Sequence, residues 1–126
     1  MSAAFVNAVN YGQACTQKKH GIIYGGEDCL YLNVFVHTRH IPVTEGEILP
    51  VAFYIHGGTY MSGDGSQYNA QELVNLYNGH VIIVTMNYRL NIFGFLGSDE
   101  LRSLDPEFNT TGTLGLQDQR LAMQWV

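Results

Sequence analysis

The sequence predicts an α/β layered fold, present only in part: a mostly parallel sheet with flanking helices, of which this chain supplies a portion. Three observations carry that expectation. Strand-like and helix-patterned segments alternate along the chain. The strand candidates are apolar on both faces, as in a sheet covered from two sides. Charged residues are only 13% of 126, against about 25% in an ordinary soluble domain. A domain this small should be mostly surface, so these residues read as the inside of something larger.

Residues 1–28 read as mostly loop, ending in a turn at Gly25-Gly26. Leu30 to Val36 is β-branched and aromatic, long enough for one strand. Pro42 and Glu45-Gly46-Glu47 make an exposed connection that ends at Pro50. Val51 to Ile55 is the second strand. The glycine-rich loop His56-Gly57-Gly58-Thr59-Tyr60-Met61-Ser62-Gly63-Asp64-Gly65 follows it. Ala70 to Tyr77 spaces Leu73, Val74, Leu76 and Tyr77 as a helix does, and Asn78-Gly79 gives a left-handed stop. Val81 to Met86 is a third, wholly apolar strand. Asn87 to Thr113 reads as largely irregular, with Pro106 and several glycines. Leu114 to Val126 reads as a helix with Leu114, Leu121 and Trp125 on one face, Trp125 being a core residue.

Composition excludes several classes of function. The net charge of −5 argues against electrostatic binding to nucleic acid or to an anionic membrane. No run of 18 apolar residues marks a transmembrane helix. Met1 to Asn10 lacks the basic and apolar regions of a signal peptide. The five histidines (His20, His37, His40, His56, His80) show no H-E-x-x-H spacing. Cys15 and Cys29 alone are too few for a four-ligand zinc site. Their count does not decide between a disulfide and two free thiols.

Chemistry is best sought in the loop after the second strand, since α/β sheets work beyond the carboxyl ends of their strands. Consecutive glycines let the backbone adopt positive φ and approach a ligand closely. Free N–H groups there could face a developing negative oxygen, the requirement of an oxyanion hole. A tight turn that needs glycine only for its shape remains the alternative. No phosphate-binding glycine pattern is present.

Four landmarks resemble the type-B carboxylesterase and cholinesterase family, in order and over nearly the whole chain. Glu27-Asp28-Cys29-Leu30-Tyr31-Leu32-Asn33-Val34 is similar to its second signature. Pro50 through Gly58 resembles the strand leading into its H-G-G-G loop. Asn87-Tyr88-Arg89-Leu90 with Gly94-Phe95-Leu96 resembles the next landmark. Gly115-Leu116-Gln117-Asp118-Gln119, followed by Ala122-Met123-Gln124-Trp125-Val126, resembles the helix before the nucleophile.

The resemblance implies an α/β-hydrolase fold, a serine hydrolase mechanism on small carboxylic esters, and no cofactor or metal. Residues 1–126 would be the N-terminal portion of the domain, before the nucleophile elbow. The oxyanion donors would be the backbone N–H groups of Gly58 and Thr59, with Gly57 shaping the turn. Thr59 departs from the family's usual glycine, and a β-branched residue resists positive φ. None of the serines (Ser2, Ser62, Ser66, Ser98, Ser103) lies in a G-x-S-x-G elbow. No histidine matches the catalytic one; His56 matches the structural histidine of the loop. The isolated chain is therefore expected to be inactive.

The resemblance also pairs Cys15 with Cys29 in the family's first disulfide, and Arg89 with Asp118 in a buried ion pair. A disulfide favours an oxidising compartment. Asn109-Thr110-Thr111 is an N-glycosylation sequon. Together these imply a secreted, extracellular or endoplasmic reticulum lumen protein. Between the two cysteines residues 16–28 hold only Tyr24 as an aromatic, which favours a general carboxylesterase over a cholinesterase with its tryptophan. Two alternatives stand beside the esterase: a fragment of a non-catalytic, cholinesterase-like adhesion protein, and a truncated gene product with no function of its own. The latter would expose an apolar helix face and an unpaired strand edge.

Overall fold

The computed structural model describes residues 9–41, 46, 48–104, 106–107 and 109–126. The connection read at Pro42 and Glu45–Glu47 lies outside them except for Gly46, as do residues 1–8 of the segment read as lacking a signal peptide.

A hairpin comes first, in a stretch read from sequence as loop. Strands β1 (Gln17–Lys19) and β2 (Ile22–Tyr24) pair antiparallel. Their two-residue turn has positive φ at both His20 (50°) and Gly21 (84°), as a type I′ hairpin requires. Gly25 (φ 84°) then turns the chain where a turn is expected.

Three strands form the main sheet, in the order β3-β5-β4: β3 (Leu32–Phe35), β4 (Val51–Tyr54) and β5 (Ile82–Met86). The β4–β5 pair is parallel and the β3–β5 pair antiparallel. The central strand carries the burial: Ile83, Val84, Thr85 and Met86 are all buried. Each such aliphatic side chain contributes about 1.5–3 kcal/mol. The outer strands do not match the expectation of cover on two faces. Val51 is 46% and Val34 48% exposed, because within the described residues neither outer strand has a sheet neighbour beyond it and helices cover them only in part.

Helix α1 (Ala70–Leu76) links β4 to β5 and seats Ala70 and Val74 against Val81 and Ile83. Asn78 (φ 50°) and Gly79 (φ 71°) end it in left-handed conformations, and Gly79 N–H donates to Val74 O at 2.8 Å. The stretch from Asn87 to Thr113 is not wholly irregular. It holds α2 (Asn91–Phe95) and α3 (Asp99–Ser103), the latter capped by Ser98 Oγ accepting from Leu101 N–H at 3.1 Å. A 3-10 turn also covers Thr38–His40.

The last helix, α4 (Leu114–Trp125), packs on α2. Gly115 makes this approach possible, since a Cβ there would lie 2.5 Å from Arg89 O. The face read as core is open. Leu121 is 63% and Trp125 69% exposed, because residues 30–32 face them only across an open groove. A second core joins Cys15, Cys29, Met86, Tyr88 and Leu90, beneath the carboxyl ends of β4 and β5.

Candidate functional site

Parallel β4 and β5 deliver two loops to the same end of the sheet. One begins at His56 and the other at Asn87. They meet through His56 and Tyr88, both 2% exposed. The rings stack at 4.3 Å between centroids, and Tyr88 Oη donates to His56 O at 2.9 Å. Burial, and then Tyr60 nearby, push the Tyr88 phenol up, so it stays a neutral donor. His56 Nδ1 lies 2.9 Å from Gly57 O, a contact in which it must donate. Its Nε2 is buried without a partner among the described residues.

Beyond His56 the chain winds tightly. Gly58 has φ 117°, and a Cβ there would lie 1.8 Å from Ser62 O. No other residue fits that backbone. Glycine is not demanded at Gly57, whose φ is not positive and whose added Cβ meets nothing within 4 Å. Within this turn it is Gly58, facing the returning chain at Ser62, whose backbone demands glycine.

Thr59 (φ 53°) and Tyr60 (φ 62°) follow in the left-handed region. Such residues cost of order 1–3 kcal/mol each and persist only when their surroundings impose them. Several contacts here do so. Gly58 O accepts from Met61 N–H (2.9 Å), Ser62 N–H (3.1 Å) and Thr59 Oγ1 (2.7 Å). Asn91 N–H donates to Tyr60 O at 2.9 Å, and Asn91 Nδ2 to Met61 O at 2.9 Å. The Tyr60 ring lies 4.8 Å from that of Phe95.

The winding leaves a set of free donors. The N–H groups of Gly57, Gly58 and Thr59 donate no hydrogen bond within the described residues, and all three residues are exposed. A groove of about 520 Å³, lined by Thr59, Tyr60, Met61, Ile92 and Phe95 among others, opens beside them. Adjacent free amides held rigidly beside an apolar groove can bind an oxyanion, a carboxylate or a polarised carbonyl oxygen.

The remaining sites read from sequence lie around this loop. Cys15 and Cys29 form a disulfide with Cα atoms 4.8 Å apart. It is compatible with secretion. Arg89, next to Tyr88, grips Asp118 of α4 through Nε (2.8 Å), Nη2 (2.7 Å) and its own backbone N–H (3.0 Å). These hydrogen bonds raise the Arg89 pKa further. Asn109 is exposed, in the loop before α4. Thr111, two residues on, accepts from Ser98 N–H at 3.0 Å. Among the described residues no group of three or more His, Cys, Asp or Glu could hold a metal, and no helix is long and apolar enough to cross a membrane.

Supporting residues went unread in the sequence: Gln17, Asn87 and Asn91 hold the loop by side-chain amides. The available signal was an amide residue directly after the apolar third strand (Asn87), or in a short polar strand (Gln17).

The family pattern described as carboxylesterase family matches residues 3–126. The chain belongs to the carboxylesterase family. Among similar proteins, a carboxylic ester hydrolase of Bombus ignitus is 39% identical, over 94% of this chain and 20% of that protein. A juvenile hormone esterase of Tribolium castaneum is 40% identical, over 96% of this chain and 19% of that protein. The solved structure of Aspergillus niger EstA superposes with a TM-score of 0.71 at 34% identity, over 92% of this chain and 21% of that one. The chain thus spans about a fifth of the length of the relatives it matches. Its partial sheet and helices are an N-terminal part of the α/β-hydrolase fold that these carboxylesterases share.

Proposed function

We propose that residues 1–126 are the N-terminal portion of a serine carboxylic ester hydrolase, preceding its nucleophile elbow, and that the 57–59 loop supplies two oxyanion-hole donors. The observation that carries this reading is the pair of free, adjacent N–H groups at Gly58 and Thr59. In the longer protein a serine attacks the carbonyl of a small ester and a histidine takes its proton. The carbonyl oxygen gains charge as the tetrahedral intermediate forms. Donors fixed beforehand stabilise that charge without reorganising, each by about 2.7–4 kcal/mol in the transition state. Gly57 would flank these donors.

The 126 residues hold no G-x-S-x-G serine. Expressed alone, they should hydrolyse p-nitrophenyl acetate no faster than a Thr59→Pro control. Turnover above that control would overturn the division of labour proposed here. The disulfide and the exposed sequon at Asn109 support secretion or residence in the endoplasmic reticulum lumen. A glycosidase-sensitive mass shift that Asn109→Gln abolishes would test the glycan.

The left-handed Thr59 favours a second reading, a non-catalytic adhesion protein of the same fold. Sequence just beyond Val126 separates the two. A G-x-S-x-G elbow supports the esterase; another residue in place of that serine supports adhesion. A truncated product without function would draw support from the open α4 face, and a sharp monomer peak with a cooperative melt would count against it.

A further inference from the structure

The glycine-rich loop is tied to the disulfide loop by two buried side-chain amides placed in parallel ways. Gln17, 5% exposed, meets both backbone polar groups of Gly63 with its single side-chain amide. Its Oε1 accepts from Gly63 N–H at 2.8 Å, and its Nε2 donates to Gly63 O at 2.9 Å and to Cys15 O at 3.1 Å. Asn87 is also 5% exposed. Its Oδ1 accepts from Gly65 N–H at 2.8 Å, and its Nδ2 donates to Cys29 O at 3.1 Å and Gln13 O at 2.9 Å. Each amide therefore bridges one half-cystine carbonyl and one glycine of the loop.

Gly63 passes this constraint to the donors. With φ 120°, it lies so near the loop's start that a Cβ would be 2.3 Å from His56 Nδ1 and 2.6 Å from Gly57 O. Its neighbour Ser62 donates to Gly58 O. Any drift of Gly63 must therefore displace Gly57–Gly58–Thr59. All the hydrogen-bonding atoms of both amides are engaged, so neither is free to serve a substrate directly.

We propose that Gln17 and Asn87 are positioning residues, transmitting the geometry of the Cys15–Cys29 loop to the Gly58 and Thr59 N–H groups. The catalytic consequence rests on the esterase reading above; the mechanical coupling does not. Displacement of a reacting group by about 1 Å costs on the order of 100-fold in rate, so loss of a tether should act on kcat.

The test uses the longer esterase polypeptide with Gln17→Met, which keeps the side chain's bulk, and Gln17→Glu, which keeps only the acceptor for Gly63 N–H. Rates are normalised to sites titrated by an organophosphate, so a misfolded fraction does not enter. The expected result is a fall in kcat of about 10- to 100-fold, with KM for p-nitrophenyl acetate within about twofold. Affinity for a trifluoromethyl ketone, whose hemiketal oxygen occupies the same donors, should fall in proportion. Amide shifts of Gly57, Gly58 and Thr59 in selectively 15N-labelled protein should move in both variants and on reduction of the disulfide.

If kcat per titrated site, ketone affinity and amide shifts all stay unchanged in whichever variant folds, the proposal is wrong. If the amide shifts move but the wild type hydrolyses no ester, the coupling stands and the esterase reading fails. If both variants fail to fold, a Cys15→Ala/Cys29→Ala variant decides. Unchanged Gly58 and Thr59 shifts there would also overturn the coupling.

Discussion

Asp118 receives three hydrogen bonds from the single residue Arg89: two from the guanidinium and one from its backbone N–H. The Asp118 side chain is only 4% exposed and that of Arg89 33%. The pair joins the loop after β5 to α4 at a point where Gly115 already touches Arg89 O. Truncating one member of a buried pair costs about 3–5 kcal/mol. Asp118→Ala in the longer protein should fall toward the lower end of that range by urea denaturation, since Arg89 can turn to solvent. A loss below about 0.5 kcal/mol, the size of an ordinary surface change, would show that the pair is ornamental.

Gly58 and Thr59 should respond oppositely to substitution. Gly58→Ala forces a Cβ into Ser62 O and should reduce esterase kcat by about 100- to 1,000-fold, the loss of one oxyanion donor. Thr59→Gly keeps the N–H and removes left-handed strain, and should raise stability by up to about 1 kcal/mol. Steady-state kinetics and thermal melts read both. A stability loss in Thr59→Gly would mean that the Thr59 hydroxyl bond to Gly58 O outweighs the strain.

Removal of the disulfide should cost about 3 kcal/mol by the chain-entropy account of a loop of this length. The Cys15→Ser/Cys29→Ser variant should also lose the amide protection of Gly63 and Gly65, whose partners are anchored beside the half-cystines. Hydrogen exchange measured residue by residue gives both quantities. Equal protection in wild type and variant would confine the effect to the unfolded chain.

Tyr54 should titrate unusually late. The Tyr68 hydroxyl beside it, and then partial burial, push its phenol up to about 12; the rings meet edge-on at 5.0 Å. The folded state prefers the neutral phenol. Its contribution to stability is thus complete below pH about 10 and is lost as pH rises through about 12. Tyr68→Phe should bring the ultraviolet titration of Tyr54 back toward 10. No change would assign the shift to burial instead.

Periodicity made some elements legible and hid others. β5 is apolar but for Thr85 and is buried from Ile83 to Met86, so its position was plain from residues alone. The α1 stop at Asn78-Gly79 was equally plain, because those residues tolerate positive φ. The hairpin of β1 and β2 was not, since His20-Gly21 replaces the usual Asn-Gly and the strands are three residues each. Helices α2 and α3 span five residues each, too short to show a period. Trp125 misled because its pattern is that of a core residue, whereas the burying surface is not among the described elements. At the site, the glycine requirement could be read but not its exact seat. Gly58 rather than Gly57 carries it, which depends on a contact with Ser62 four residues away in sequence.

The strand order β3-β5-β4 has a consequence for how the protein is made. β3 and β4 emerge first from a ribosome, yet neither pairs with the other. Both wait for Ile82–Met86, which is synthesised later and becomes the strand between them. Until then both strands lack a sheet partner, the kind of unpaired edge that makes a folding chain prone to aggregate. The β1–β2 hairpin and the Cys15–Cys29 bond follow a different schedule, since their paired residues are all translated by Cys29. The Asn87 tether comes later, directly after β5, so the disulfide side of the anchor can form before the residue that ties it to Gly65 is made.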